Sequence, residues 1–275
     1  MTYERKKWRV IEDPPGKGAW NMAVDEAILE SVYSGESPPT LRLYAWEPAC
    51  LSLGHAQPFS EVNTKTISAN GWDVVRRPTG GRAILHVDEL TYAVIAPESE
   101  PRVKGGVLES YLRLSEALLE SLRILGLSPQ AEEINPGEKK SKPNPVCFEV
   151  PSNYEITING KKLIGSAQAR RKEGILQHGA LPLYGDLSRI ITALSFPNES
   201  EKLKARVRLL SHATTVEQAL GYPVTRDRAK DAFKQAFQDA LNLELEPSCL
   251  TANEKERAEE LHLNKYAHPS WTERI

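Results

Sequence analysis

Three short segments of the sequence combine residue types that can bind or transform a substrate: 76–86, 146–155 and 159–168. The first contains two arginines, a Gly-Gly pair and a terminal histidine, the second a cysteine, and the third two adjacent lysines. A glycine pair lets the backbone approach a ligand closely, arginines can bind an anion, and a cation beside a cysteine favours the nucleophilic thiolate. Each segment also fits a plainer role, namely a turn with solvated arginines, a buried thiol or lysines at a sheet edge.

The three cysteines differ in their sequence context. Cys50 lies within an apolar run, which predicts a small buried side chain. Cys249 lies in a polar connector between two predicted helices, and we assign it no role. Cys147 follows a polar segment and lies close to Pro and Ser, where a core position is not expected. On these residues alone it is one thiol among three, and a structural role is the better interpretation, because a lone cysteine is usually structural.

The Asn-Gly dipeptide at 159–160 is the strongest short signal for a hairpin turn. The facing pairs that a two-residue turn predicts are Ile158 with Lys161 and Thr157 with Lys162. Because side chains alternate along a strand, Lys161 shares a face with the apolar residues, and Lys162 points the other way with Glu155 and Ile164. Only Lys162 is then aimed at a possible site. Taken alone, the hairpin also fits two solvated edge lysines.

The elements that position these segments follow from hydrophobic periodicity and turn residues. Predicted strands are 40–46, 50–54, 72–76, 82–86, 90–96 and 174–183, with the hairpin covering 154–169. Predicted helices are 21–34 with Asn21 as N-cap, 106–125 followed by Gly126, 186–194, 215–220, 226–241 and 251–266. The polar segment 129–146 is predicted to be a long mobile loop. Strands come first and most helices later, which favours an α+β fold over a doubly wound sheet.

The composition is that of an ordinary globular protein of 275 residues, with 40% hydrophobic residues and a formal net charge of −2. That charge excludes a global attraction to nucleic acid or to an anionic membrane. The charged N-terminus predicts no signal peptide, and no run approaches the roughly 18 apolar residues of a membrane span. Three scattered cysteines are too few for a disulfide framework or a zinc site, so we expect reduced thiols in a cytoplasmic protein.

The order of the motifs is more specific than any one of them. An Arg-Arg-Pro-Thr-Gly-Gly-Arg turn precedes a Cys-Phe loop and then Gly-Lys-Lys-Leu-Ile-Gly-Ser-Ala-Gln, and the segments 21–27, 42–46 and 177–180 match as well. This combination resembles the biotin/lipoate ligase and lipoyl transferase superfamily, and within it the octanoyltransferases of the LipM type. The resemblance implies an α+β fold like the biotin/lipoate protein ligase catalytic domain, with mixed sheets flanked by helices. We expect a monomer with a single domain over 1–275, a catalytic core at 35–247 and a helical extension at 248–275.

The resemblance also implies an activity. Such enzymes take an octanoyl group from octanoyl-acyl carrier protein and pass it, through a cysteine thioester, to a lysine of the glycine cleavage system H protein. The nucleophile falls on Cys147, and the lysine that lowers its pKa falls on Lys162. The implied acyl-pantetheine pocket comprises Arg77, Gly80, Gly81, His86, Gly165, Ser166, Ala167, Gln168, His178, Gly179 and Ala180. No metal and no cofactor are implied.

An octanoyl tail explains why small residues recur in these motifs. Burying about seven methyl and methylene groups contributes on the order of 5 kcal/mol, which requires an apolar tunnel with room for the chain. Acyl carrier proteins are acidic as a class, so a basic docking patch is expected beside that tunnel. The candidates are Arg82, Arg170, Arg171 and Lys172, for which a solvated basic face is the alternative.

Three other functions fit parts of the sequence. A lipoate-protein ligase shares the fold and the lysine but activates a free acid with ATP. Ligases typically carry Asn-Asp where this chain has Asn153, Tyr154 and Glu155. An amidotransferase that moves octanoyl from H protein to dehydrogenase subunits also uses a cysteine, within a Cys-x-Gly-x-Tyr-Asp loop. A non-catalytic acyl-carrier binding module would need neither Cys147 nor Lys162.

Overall fold

The computed structural model of the chain describes residues 3–133, 154–172 and 174–275. Its strands are β1 (Lys6–Glu12), β2 (Thr40–Tyr44), β3 (Cys50–Leu53), β4 (Asp73–Arg76), β5 (Ile84–His86), β6 (Glu89–Ala96), β7 (Gln130–Glu133), β8 (Tyr154–Ile158), β9 (Lys161–Arg171), β10 (Gly174–Pro182) and β11 (Leu243–Ser248). Its α-helices are α1 (Gly18–Ser34), α2 (Thr64–Ala69), α3 (Val107–Ile124), α4 (Arg189–Ala193), α5 (Glu199–His212), α6 (Val216–Leu220), α7 (Arg226–Leu241), α8 (Ala252–Leu261) and α9 (Pro269–Thr272). A 3₁₀ turn covers Phe59–Glu61, and a π-helical turn covers His262–Tyr266.

The strands form two sheets. The larger sheet has the order β11-β1-β2-β6-β10-β9-β8-β7, and the smaller has the order β4-β3-β5. Strand β1 pairs with β2 and β11 in parallel, whereas β6, β10 and β9 pair antiparallel, so the large sheet is mixed. The predicted α+β fold, with mixed sheets flanked by helices, is therefore confirmed.

Helices cover both faces of the large sheet, which explains why its central strands are buried along their whole length. The eight residues of β6 are all buried. Because side chains alternate along the strand, Tyr92 and Val94 pack with α3 and α7 on one face, and Ala93 and Ile95 pack with α1 and α8 on the other. The spacing of apolar residues had predicted α3 to within one residue at each end, and Gly126 after it adopts a φ of 96°.

The hairpin of β8 and β9 has the predicted turn. Asn159 and Gly160 both adopt positive φ, of 51° and 72°, and the two predicted facing pairs are present. One residue further on, the register shifts, so that Ile156 faces Ile164. Such a bulge inserts an extra residue and moves the following side chains to the other face. The predicted orientation of Ile164 beside Lys162 is therefore wrong, and Ile164 joins the apolar core.

Several element boundaries also differ from the prediction. Helix α1 begins at Gly18 with Lys17 as its N-cap, so Asn21 is not the cap; its buried amide instead donates to the carbonyl oxygens of Gly16 and Ala45. The predicted loop at 129–146 begins with strand β7, and the rest of it lies outside the described residues. The prediction missed β1, β11, α2, α5 and α9.

The C-terminal part of the chain packs onto α1 and onto the small sheet. Glu254 of α8 is buried and accepts hydrogen bonds from both terminal nitrogens of Arg9 in β1, and also from Ser37. Lys265 and Tyr266 both donate to the carboxylate of Glu26 in α1. None of the helices within the described ranges is both long and apolar enough to cross a membrane.

Candidate active site

A partly open cavity of about 40 Å³ lies where α1, the small sheet and the middle of the large sheet meet. Nine of the eleven predicted pocket residues line it: Arg77, Gly81, His86, Gly165, Ser166, Ala167, His178, Gly179 and Ala180. Strands β9 and β10 supply six of the fifteen lining residues as facing pairs. Those pairs are Ala167 with His178, Ser166 with Gly179, and Gly165 with Ala180. The sheet pairing thus brings the motifs at 165–168 and 177–180 to one place.

Gly179 is the position where the wall tolerates no side chain. A Cβ atom there would lie 2.6 Å from the carbonyl oxygen of Gly165, 2.7 Å from Tyr92 Cε1 and 2.8 Å from Ser166 Oγ. The Tyr92 hydroxyl lies 2.7 Å from Ser166 Oγ and accepts a hydrogen bond from Gln177. Burial raises the pKa of Tyr92 to about 12, so its hydroxyl remains protonated and the contact remains a hydrogen bond.

The other two predicted pocket residues, Gly80 and Gln168, line an open groove of about 470 Å³ outside the cavity. Gly81 belongs to both spaces, so the groove adjoins the cavity. Burial, and then the charges of Arg274 and Arg171, lower the pKa of His55 in the groove, which indicates a positive local potential. Three predicted docking arginines line the groove, and each lies within ion-pair distance of a carboxylate. The pairs are Arg82 with Glu61 at 3.6 Å, Arg170 with Glu98 at 3.9 Å and Arg171 with Glu26 at 3.5 Å.

The turn at 76–82 is held by its own arginines. Arg77 donates to the carbonyl oxygens of Ser52, Gly80 and Arg82 at 2.7–3.0 Å. Arg76 is fully buried and donates to five other carbonyl oxygens, among them those of Gly54, Gln57 and Thr272. The prediction that these two arginines bind an anion is therefore wrong for Arg76, whose guanidinium ties the turn to the C-terminal segment.

Glycine at position 54 lets this turn lie directly on the end of β3. A Cβ atom on Gly54 would lie 1.9 Å from the carbonyl oxygen of Gly81, a distance that no side chain tolerates. Gly81 itself adopts a φ of 90°, in the region that favours glycine. Close packing thus requires Gly54 and the positive φ favours Gly81, whereas a Cβ atom on Gly80 would meet no atom within 4 Å.

His178 joins the same turn to α1. Its Nε2 atom lies 2.6 Å from Thr79 Oγ1, and its Nδ1 atom lies 3.3 Å from Asp25 Oδ2. Burial lowers the pKa of His178 despite the opposing effect of Asp25. Burial alone would raise the pKa of the Asp25 carboxyl, but Arg42 at 2.7 Å and His178 hold it below its ordinary value. A neutral His178 that donates to an ionised Asp25 and accepts from Thr79 fits these directions.

His86 forms a second buried polar cluster in the cavity wall. Its Nε2 atom lies 2.7 Å from Ser52 Oγ, its Nδ1 atom lies 2.6 Å from Glu89 Oε1, and its ring stacks on Trp46 at 4.0 Å. Serine, histidine and a carboxylate in this order also form the nucleophilic triad of hydrolases. Ser52, however, has no exposed surface, and Arg77 donates to its hydroxyl. We therefore interpret the cluster as a rigid wall.

Lys162 is 5% exposed, and its Nζ atom donates to Glu155 Oε1 at 2.9 Å. The two residues share a face of the hairpin, as predicted. Lys162 is three residues before Gly165 on β9 and does not belong to the lining of the cavity. Cys147, the predicted nucleophile, lies outside the described residues.

The two other cysteines differ in burial. Cys50 is fully buried in β3, and burial raises the pKa of its thiol well above the ordinary value. Its predicted role as a small core side chain is confirmed. Cys249 is exposed, in the connector between β11 and α8. Cys50 is thus an unreactive thiol, because the thiolate is the nucleophilic form.

Sequence reasoning missed part of the cavity lining. The missed residues are Met22, Tyr44, Trp46, Ser52, Ile84 and Thr91. The segments 21–27 and 42–46, which contain Met22, Tyr44 and Trp46, match the family. The resemblance therefore pointed to these segments but did not assign the three residues a role. Ser52 and Thr91 lie in apolar strands, where nothing in the spacing distinguishes a cavity wall from a core position.

The sequence model of the family described as "Lipoyl protein ligase A/B catalytic domain" matches residues 17–238. The chain belongs to this family. Among relatives of the family, a protein from Kyrpidia tusciae named "Octanoyltransferase LipM" is 42% identical, with 97% of this chain and 98% of that protein covered. A Bacillus subtilis protein with the same name is 38% identical, with 98% of each chain covered. Octanoyltransferases are acyltransferases, so the predicted enzyme class agrees with these relatives.

Solved structures of the family share the whole architecture. The bipartite lipoate protein ligase from Thermoplasma acidophilum superposes with a TM-score of 0.79 at 26% identity, covering 98% of this chain and 96% of that chain. A lipoate-protein ligase A bound with ATP gives a TM-score of 0.78 at 26% identity, with coverages of 97% and 98%. The predicted similarity to the lipoate ligase catalytic domain is thus confirmed.

Proposed function

We propose that this chain transfers an octanoyl group from octanoyl-acyl carrier protein to a lysine of the glycine cleavage system H protein, through a thioester on Cys147. The observation that carries the proposal is the likeness, at 42% identity over nearly the whole chain, to a protein named Octanoyltransferase LipM. The cavity at the junction of α1, β9 and β10 supports it, because its lining is mostly apolar atoms and small residues.

The octanoyl tail would occupy this cavity. Burying its hydrocarbon groups contributes on the order of 5 kcal/mol. The cavity of about 40 Å³ holds only a few water molecules, so an eight-carbon chain requires a lining side chain to move. Met22 is the lining residue best suited to do so, because its unbranched thioether has several low-energy rotamers.

The chemistry needs two steps. The Cys147 thiolate attacks the carbonyl carbon of the donor thioester, and the carrier thiolate leaves and takes up a proton. The unprotonated amine of the acceptor lysine then attacks the enzyme thioester and forms an amide, and the Cys147 thiolate leaves. The first step exchanges one thioester for another and is nearly balanced, whereas the second forms the more stable amide and drives the sequence forward.

Lys162 would act on both steps from the start of β9. Its ammonium group favours the thiolate of Cys147 in the first step, and after losing a proton it can accept one from the acceptor amine in the second. Glu155, 2.9 Å from the Nζ atom, fixes the position of that ammonium group. Cys147 is the other residue to which the proposal assigns a role in the reaction, and the Cys147→Ala variant tests that role.

An ATP-dependent lipoate-protein ligase is the main alternative, and one observation favours it. Solved structures that share the architecture of this chain are lipoate-protein ligases, one of them bound with ATP. An octanoyl amidotransferase between H protein and dehydrogenase subunits is the second alternative. It differs from the proposal in its donor, because it takes the acyl group from H protein itself.

The donor requirement separates these functions. We expect octanoyl-H protein to form from octanoyl-acyl carrier protein and H protein without ATP, and not from free octanoate with ATP and Mg²⁺. Intact-mass spectrometry of H protein measures both reactions, with an active lipoate-protein ligase as the positive control for the second. Labelling of H protein only in the presence of ATP and free acid would contradict the proposal and support the ligase.

A further inference from the structure

Helix α5 carries an apolar stripe on its exposed surface. Leu203, Val207 and Leu210 are 60%, 62% and 36% exposed, whereas Ala205 and Leu209 on the other side of the helix are buried. Residues spaced i, i+4 and i+7 fall within about 60° of one another around a helix of 3.6 residues per turn. The three exposed side chains, which we call the α5 stripe, therefore form one contiguous apolar surface that the core does not use.

Basic residues border the α5 stripe on both sides. Between residues 202 and 212 the sequence contains four basic side chains, Lys202, Lys204, Arg206 and Arg208, and no acidic one. Arg206 lies about 40° from one edge of the stripe, and Lys204 lies about 60° from the other edge. The ion pairs of Lys202 with Glu199 and of Lys204 with Glu201 are exposed i, i+3 pairs, which contribute little and are readily exchanged for a partner's charges.

A groove beside the stripe extends this surface. It measures about 400 Å³ and lies between α4 and α5. Its lining includes Leu203, three basic residues (Arg189, Lys202 and Arg206) and two acidic ones (Asp186 and Glu199), so basic residues predominate. The surface thus has an apolar centre with a basic border, although the whole chain has a formal net charge of −2. The local charge is positive and attracts an acidic partner, whereas the net negative charge of the whole chain would repel it.

The α5 stripe lies next to the proposed catalytic lysine. Lys161 Nζ donates to the carbonyl oxygen of Leu210 at 3.0 Å, and the backbone N–H of Thr214, just after α5, donates to the carbonyl oxygen of Lys162 at 3.0 Å. A partner bound on α5 would therefore meet the beginning of β9, where Lys162 is buried with Glu155. The arginine groove described above meets the opposite end of β9, at 168–171.

From this geometry we infer that the α5 stripe and its basic border are the docking surface for the acidic acyl carrier protein that donates the octanoyl group. The inference rests on the proposed function. An interface with an apolar centre and a charged rim of opposite sign steers and orients its partner, which fits a small acidic carrier. Docking here delivers the thioester at the end of its prosthetic arm to the beginning of β9, where Lys162 lies.

The test compares two donors in two variants. Arg206→Glu reverses a charge at the border, and Val207→Asp places a charge in the stripe; both side chains are exposed, so the fold should persist. Lys255→Glu on α8 is the matched control for the charge reversal. Octanoyl transfer to H protein is measured with octanoyl-acyl carrier protein and with octanoyl-pantetheine, which has no protein to dock.

We expect both α5 variants to raise the KM for octanoyl-acyl carrier protein about tenfold and to leave transfer from octanoyl-pantetheine unchanged, while Lys255→Glu changes neither. The KM of the unmodified protein for the carrier should also rise with salt, because salt screens exposed charges. An unchanged carrier KM in both α5 variants would overturn the assignment. A rise in the KM for H protein alone would also overturn it, since α5 would then dock the acceptor. If the unmodified protein uses neither donor, the proposed function itself fails.

Discussion

At the scale of single residues, the buried polar groups around the cavity are each fixed by several partners. Asp25 contacts Arg42, Tyr44 and His178, and burial raises the pKa of Tyr44 well above its ordinary value, so that its hydroxyl remains a donor. Networks in which every member has a partner are rigid, because any rotation would leave a buried group unpaired. The wall of the cavity is therefore shaped before a substrate arrives.

His178 makes this network sensitive to acid. Burial lowers its pKa in the folded protein, so the unfolded chain binds a proton at a higher pH than the folded chain does. Folding stability should therefore be full above the ordinary histidine pKa of about 6.5 and fall below it, by up to about 1.4 kcal/mol per pH unit. The lowered pKa of Asp25 has the same sign, but it acts only near the ordinary pKa of a carboxyl, at about 3.9.

His178→Asn tests this assignment, because the amide can still donate to Asp25 but does not titrate. Urea denaturation at about pH 7.5 and about pH 5.5, on either side of the ordinary histidine pKa, gives the free energy of unfolding. The unmodified protein should lose more stability between the two values than the variant does. His55, whose pKa is also lowered, remains in both proteins and contributes equally. An identical loss in the two proteins would show that His178 does not titrate in this range.

At the scale of elements, the β8–β9 hairpin places two adjacent lysines in different environments. Lys161 lies at the surface and donates to the end of α5, whereas Lys162 is buried beside Glu155. The turn residues alone predicted this separation, because an Asn-Gly turn fixes the register. The bulge after Lys162 could not be predicted in the same way, because the sequence alone does not show whether one or both of Leu163 and Ile164 pack in the core. In the structure both are buried.

The adjacent lysines provide a matched pair of variants. Lys162→Ala should slow formation of the octanoyl enzyme by at least about 100-fold, because the thiolate loses its neighbouring cation. Lys161→Ala changes the same charge one residue away and should stay within about threefold of the unmodified rate, as expected for a surface substitution. Rapid-quench sampling with intact-mass detection gives both rates, and equal rates in the two variants would remove Lys162 from the mechanism.

At the scale of the whole molecule, the C-terminal segment forms hydrogen bonds with residues near the site. The carbonyl oxygen of Thr272 accepts from Arg76 at 2.7 Å, and that of Ile275 accepts from the backbone N–H of Phe59 at 2.7 Å. The C-terminal segment therefore supports the turn at the cavity mouth from behind. We still propose a boundary between a catalytic core ending at 247 and a helical extension, although these hydrogen bonds join the two parts firmly.

The sequence predicted what depends on local chemistry and missed what depends on distant partners. The long helices and the hairpin follow from periodicity and turn residues, and the order of motifs indicated which segments would meet. Arg76 looked like a ligand for an anion because no sequence pattern shows that the carbonyl oxygens of Gly54, Gln57 and Thr272 accept from its guanidinium. Strands β1 and β11 were missed for a related reason: both are rich in charge, and their strand character comes from pairing across the whole chain length.

The central claim is that Cys147 carries the octanoyl group, and one measurement tests it directly. Unmodified protein is mixed with octanoyl-acyl carrier protein, without ATP and without H protein, and its intact mass is recorded. We predict a single octanoyl adduct that disappears in Cys147→Ala and persists in Cys249→Ala, the variant that removes the exposed thiol. Transfer of octanoyl to H protein by Cys147→Ala at the rate of the unmodified protein would contradict this account.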